Sequence, residues 1–216
     1  SRAGAIVTMI ETKPSLGRKF LMAGKTGLNL TKSEPLEAFT KRFSGSADWL
    51  SPILATFGPA EVMRFANELG QDVFTGSSGR VFPKAMKGSP LLRAWLHRLT
   101  EQGVEFQTKC SWTGWNEGAL TFQSADSALE MDADAFVFAL GGASWARLGS
   151  DGHWAALFAG KNVPLAPFGA ANAGVAVDWS SHMQPHFGTP LKAVSFSSGP
   201  YSSRGEAVIS QSGLEG

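Results

Sequence analysis

The chain has 216 residues, 43% hydrophobic and 17% charged, enough for one sizeable globular domain or one domain with a small companion. A formal net charge of +1 with no basic stripe leaves no electrostatic case for nucleic acid or an anionic membrane as main partner. A single cysteine, Cys110, excludes an internal disulfide framework and a multi-cysteine metal site, and points to a reducing cytoplasm.

In chain order, the apolar and β-branched run "AIVTMI" (5–10) predicts a buried strand ending at Glu11. A glycine-rich connection follows to about Thr31, then three short helical segments. The clearest lies in "GPAEVMRFANELG", with Pro59 in the first turn and Gly70 as its stop. "QDVFTGSSGRVFP" reads as loop and strand, ended by Pro83. The strongest helix signal runs from Ser89, a candidate cap, to Gly103, with Leu92, Trp95, Leu96 and Leu99 on one face. "VEFQTK", "ALTFQ" and "ALEM" alternate apolar and polar, which predicts an antiparallel meander. The continuously apolar "AFVFAL" (135–140) predicts a strand covered on both faces, running into "GGAS". A helix is expected from Asp151 to about Ala159, capped by Ser150 or Asp151 and stopped by Gly160.

Beyond Val163 the sequence turns rich in proline and glycine with short strands, so a second, β-type domain is expected over 166–216 after a first over 1–165. No membrane-length apolar stretch and no internal repeat occur. The chain opens almost directly in a strand without a methionine and stops at "ISQSGLEG", which reads as a piece of a longer protein.

The "GKT" at 24–26 resembles a phosphate-gripping loop, but G-x-x-x-x-G-K-[ST] needs a glycine at position 19, and that position is Lys19. "TGLNLT" also continues as a turn where such a loop would enter a helix. Glu11 offers a different reading. In dinucleotide-binding βαβ units an acidic residue closes the second strand and accepts hydrogen bonds from a ribose, about 20 residues after a glycine fingerprint. Counting back from Glu11 passes the first residue, so no fingerprint stands in this sequence. By itself a strand-end glutamate reads first as a solvated carboxylate.

"ETKPSLGRKFLMAGKTGLNLT" (11–31), "GRVFP" (79–83) and "FALGGASWARLGSDG" (138–152) together resemble, in order, three segments of the BaiN-like flavoproteins. These are NAD(P)/FAD-dependent oxidoreductases that include aminoacetone-oxidase-like members. The resemblance covers nearly the whole chain. It implies an α/β fold: a Rossmann-type FAD-binding domain, incomplete at its N-terminus, with an antiparallel meander and the start of an inserted β-barrel-like substrate domain. The family's G-G-G-R-C-N stands here as "GKTGLN", without the Arg and Cys and with Lys25 in addition.

FAD carries a pyrophosphate, polyol groups and a flat ring, and so needs N–H donors, a cation, a carboxylate and close backbone approach. The resemblance implies Glu11 for the ribose and Gly17, Arg18 and Lys19 near the phosphates, with solvated surface charge as the competing account of the two cations. Gly24, Gly27, Asn29 and Thr31 would bring main chain and hydrogen bonds to the cofactor. Gly141 and Gly142, at a strand's carboxyl end, would leave room for it; an ordinary turn explains them as well. Trp112 is a candidate for backbone contact with adenine or a core residue. Arg80, Phe82 and Pro83 could line the substrate side or simply anchor a strand, and His153 could exchange protons there or stand exposed in a first turn. His182 and His186 have metal-like spacing, but Pro185 interrupts the helix they would need and no third ligand is evident, so no metal site is expected. Cys110 reads as a buried, inert thiol, and the seven tryptophans as core.

The expected function is an FAD-dependent oxidoreductase with NAD(P)H as candidate donor and a small organic substrate; a non-catalytic flavin-binding module is the alternative. The oligomeric state and any catalytic acid or base are not legible. These residues alone are expected to bind FAD poorly and to aggregate, because a sheet lacking a middle strand exposes apolar edges.

Overall fold

The computed structural model describes residues 4–24, 27–43, 47–125, 127–169 and 174–215. Two compact units divide between Leu165 and Ala166.

In the first unit, strand β1 (Thr8–Glu11) is followed by helix α1 (Arg18–Ala23), strand β2 (Thr31–Lys32) and helices α2 (Leu36–Thr40), α3 (Ala47–Thr56) and α4 (Pro59–Glu68). Strands β3 (Val73–Thr75) and β4 (Arg80–Pro83), helix α5 (Gly88–Glu101) and strands β5 (Glu105–Thr108), β6 (Ser111–Asn116), β7 (Ala119–Gln123) and β8 (Ala128–Met131) come next. A 3₁₀ turn (Ala146–Leu148) and helix α6 (Trp154–Ala159) complete the unit.

The amphipathic α4 starts where Pro59 needs no amide partner, and the Glu61 carboxylate accepts the Gly58 N–H at 3.0 Å. Its buried face, with Ala66 and Leu69, meets Leu91 of α5 and Leu28, and Phe20, Phe65 and Val73 close the cluster. Burying one such leucine stabilises the fold by roughly 1.5–3 kcal/mol. The small antiparallel sheet β2–β4–β3 lies in the same region, with Val81 and Pro83 fully buried.

A second core forms where β6, β7 and β8 make the expected meander, around Cys110, Leu120 and Phe122. Its first turn is Glu117–Gly118, both at positive φ, as a two-residue hairpin turn requires. Burial pushes the Cys110 thiol above its ordinary range.

Five local expectations need correction. "VEFQTK" is not part of the meander: β5 instead pairs parallel with β1, Thr8 opposite Glu105 through Glu11 opposite Thr108. An alternating pattern shows that a segment is extended but not which strand it joins. Segment 5–10 is strand only from Thr8 and is not buried, with Ile6 93% exposed, because this sheet has two strands among the described residues. Segment 135–140 forms no ladder; it is an extended chain whose Phe136 and Phe138 pack on the meander's side chains while Val137 is 92% exposed. The glycine-rich connection contains a helix, α1, because Gly17 at φ 67° turns the chain and residues 18–23 are good helix formers. Helix starts differ too: α5 begins at Gly88 with no side-chain cap from Ser89, and α6 begins at Trp154, since the Asp151 carboxylate accepts the His153 N–H (3.1 Å) in a turn before it.

The second unit holds strands β9 (Val175–Ala176), β10 (Pro190–Ser198), β11 (Tyr201–Ser210) and β12 (Gly213–Glu215) in one antiparallel sheet, order β10-β11-β12-β9. Ala207 and Ile209 are its buried side chains, and the Trp179 indole N–H donates to the Ser210 carbonyl at 2.9 Å. His182 and His186 lie on a 3₁₀ turn, Ser181–His186, that contains Pro185.

Candidate functional site

Parallel pairing of β1 with β5 puts Glu11 at a carboxyl end, the position at which open α/β sheets hold ligands. The Glu11 backbone carbonyl accepts the Cys110 N–H (3.2 Å), and its side-chain Oε1 accepts the Lys13 N–H (2.8 Å). The carboxylate is thereby oriented at the strand end, and Oε2 has no partner among the described residues.

The glycine loop 141–150 comes to the same place. It bends through Gly141 (φ 73°), Trp145 (φ 66°) and Gly149 (φ 103°). A Cβ on Gly149 would lie 3.4 Å from Lys13 Cγ and 3.8 Å from Glu11 Oε1, so the loop rests against the strand end. Ser150 is buried and donates its hydroxyl to the Gly142 carbonyl at 3.1 Å. Lys19 Nζ, on the first turn of α1, donates to Ser150 Oγ (3.2 Å), Ser144 Oγ (3.2 Å) and the Ser144 carbonyl (3.4 Å). The Trp154 indole N–H of α6 donates to the Gly141 carbonyl at 3.0 Å. Gly141 has no room for a side chain, since a Cβ would come 2.9 Å from Ser150 Oγ, whereas the space at Gly142 is open. An apolar cavity of about 330 Å³, lined by Phe138, Leu140, Trp154 and Phe158, adjoins Gly141.

Glu11, Lys19, Gly141 and Gly142 are thus brought together, and Arg18 precedes Lys19 on α1 with its buried Nε lacking a partner among the described residues. A buried donor left in that state favours an acceptor nearby. Gly17 turns the chain against Leu92, whose Cδ2 a Cβ there would approach to 2.6 Å. Gly24 is the contact point of α1 with α5, a Cβ falling 2.7 Å from the Gly88 nitrogen, and a Cβ on Gly27 would lie 3.1 Å from Met86 Cε. Asn29 is exposed and Thr31 pairs with Val81 in β2–β4. Lys25 and Thr26, the centre of the rejected "GKT" loop, lie outside the described residues.

Arg80, Phe82 and Pro83 stand on β4, where Phe82 stacks on Phe74 and Pro83 is buried. His153 is exposed, its Nδ1 3.5 Å from the Asp151 carboxylate. Trp112 sits in an aromatic cluster with Trp115 (centroids 4.6 Å), Phe138 (4.9 Å) and Phe158 (5.5 Å), its N–H donating to the Gly114 carbonyl. The residues that sequence reasoning missed are Lys13, Ser144, Gly149 and, beyond its candidacy as a cap, Ser150; the one available signal was the repeated small residues of "GGASWARLGS". Among the described residues no cluster of His, Cys, Asp and Glu could hold a metal, and no helix is long and apolar enough to cross a membrane.

Comparison with known proteins gives a relative and a family. The chain is similar to the 3-dehydro-bile acid delta(4,6)-reductase of Clostridium scindens, 28% identical over 168 residues, covering 77% of this chain and 40% of that protein. It therefore spans well under half the length of that relative. The family model of the HI0933-like protein Rossmann domain matches residues 1–189, which take in the Glu11 strand end, Lys19 and the whole 141–150 loop. That match spans most of the chain, and the chain belongs to the HI0933-like Rossmann domain family.

Proposed function

We propose that this chain binds FAD and forms part of an FAD-dependent oxidoreductase that draws electrons from NAD(P)H and acts on a small organic substrate. The observation that carries the reading is the meeting of Glu11 with the 141–150 loop at Gly149, at the carboxyl end of a parallel strand. The name of the relative as a reductase supports an oxidoreductase, and the resemblance of three ordered segments to flavoproteins supports FAD.

When bound, FAD supplies the hydride and electron transfer itself. The residues of this chain bind and orient it. Glu11, fixed by the Lys13 amide, offers its remaining oxygen to a ribose hydroxyl. Arg18, at the start of α1, would bring a cation to an anionic group of the cofactor. Gly142 borders open space that the cofactor would fill, and Gly24 and Gly27 act indirectly, by letting α1 and the chain after it pack against 86–88. Trp112 holds the wall formed by the meander.

The test is the visible spectrum of the purified full-length protein, followed by titration with FAD and reduction by NADH or NADPH. The expected result is a yellow protein with one FAD per chain that either nicotinamide donor bleaches. Glu11→Gln, which keeps the shape but weakens acceptance from a hydroxyl, is expected to lower FAD affinity about tenfold. A colourless protein whose melting temperature FAD does not raise would overturn the reading. A yellow protein that neither donor reduces and no acceptor reoxidises would instead favour a non-catalytic flavin module.

A further inference from the structure

Lys19 stands where a phosphate-binding cation is expected, yet its donors are already engaged. An ammonium has three N–H donors, and the Ser144 carbonyl, Ser144 Oγ and Ser150 Oγ lie within 3.4 Å of Nζ. Ser150 is 4% exposed, and its hydroxyl passes the chain on to the Gly142 carbonyl. An ammonium donating to a hydroxyl that itself donates polarises that hydroxyl and strengthens its bond. Both ends of the loop are thus tied to the first turn of α1.

The loop needs such a tie. It contains a non-glycine residue, Trp145, in the left-handed region with its side chain 58% exposed, so little packing of its own side chain offsets the strain. Gly141 and Gly149 also sit at positive φ. Residues 143–147 are exposed, and Arg147 lies within the 3₁₀ turn between the two serines.

We propose that Lys19 and Ser150 are positioning residues: they clamp the 141–150 loop in the form that leaves Gly142 open to the cofactor, and Lys19 acts on FAD through the loop rather than as a charge on its phosphates. This rests on the FAD reading above, but the clamp has a readout of its own. Tryptic cleavage after Arg147 reports how often the loop opens, with cleavage after the exposed Lys41 as internal reference.

The experiment uses the full-length protein, its Lys19→Met and Ser150→Ala variants and the double variant. Each is measured for cleavage at Arg147 without cofactor, for FAD affinity by quenching of flavin fluorescence, and for folding by circular dichroism. Each single variant is expected to speed cleavage at Arg147 about tenfold and to weaken FAD binding by a similar factor, the effect of one hydrogen bond to a charged group. The double variant is expected to match the worse single one, because both remove the same chain of contacts. Weaker FAD binding in Lys19→Met with unchanged Arg147 cleavage, and Ser150→Ala behaving as wild type, would overturn the proposal in favour of a direct charge contact. Unchanged cleavage in both variants would overturn it outright. Should Lys19→Met fail to fold, Ser150→Ala, which leaves every charge in place, decides alone. If the wild-type protein binds no FAD, the cofactor reading falls, and the Arg147 cleavage rates alone uphold or overturn the clamp.

Discussion

Glu34 accepts a hydrogen bond from Arg42 Nη2 at 2.7 Å and lies 3.2 Å from Lys32 Nζ. The Arg42 contact first, and Lys32 after it, hold its carboxyl down to about 2, against an opposing effect of burial. A carboxylate whose folded-state value is depressed contributes stability above its unfolded value and loses that contribution as pH falls through the range between the two. Here the window runs from the ordinary glutamate range down to about 2. Arg42→Ala is expected to move the Glu34 titration back toward ordinary values and to shrink the loss of stability on acidification; carbonyl NMR of Glu34 against pH measures the first. Glu34 and Arg42 are eight residues apart, near enough for the sequence to propose the pair. Lys19 is the opposite case: its serine partners lie 125 and 131 residues on, so nothing in "GRK" shows that the lysine serves a distant loop. The position of Glu11 at the end of a strand was legible, because it is a local fact.

At the scale of elements, Gly24 shows how a glycine can be noticed for one reason and used for another. Its sequence neighbours suggest a phosphate loop, whereas its absent side chain lets the end of α1 touch the start of α5 at Gly88. Gly24→Ala is expected to cost about 1–3 kcal/mol of stability, since the neighbouring atom is backbone and cannot swing away. Chemical denaturation at fixed pH checks this, and a loss of FAD affinity without a loss of stability would return Gly24 to the cofactor. Periodicity identified α4, α5 and the hairpins, whose caps and turns are written within a few residues. It could not assign partners: β5 and β7 alternate alike, yet one pairs parallel with β1 and the other joins the meander. The apolar run 135–140 was misread for the same reason, because a ladder requires a second strand that the run itself does not specify.

For the molecule as a whole, large apolar side chains stand in water on several elements: Ile6 and Met9 at β1, Val137 in the extended run, and Trp49, Ile53 and Phe57 on and just after α3. Scattered exposed apolar residues are ordinary, but a two-stranded parallel sheet with an apolar edge is a template for association. These 216 residues by themselves are expected to self-associate as concentration rises, and the double variant Ile6→Lys, Val137→Lys to do so less, as read by light scattering. Retention of a monodisperse monomer by the unaltered chain at high concentration would contradict this. The amino-acid sequence alone determined what depends on neighbours a few residues apart: helices with their glycine stops, hairpin turns, the buried cysteine, and three ordered segments that identify a family. Only the tertiary structure decided which strand lies beside β1, that Gly149 rests against Glu11, and that Lys19 is bound to Ser150. Those contacts join residues about a hundred or more positions apart, and their geometry follows from how the cores pack, which no local pattern encodes.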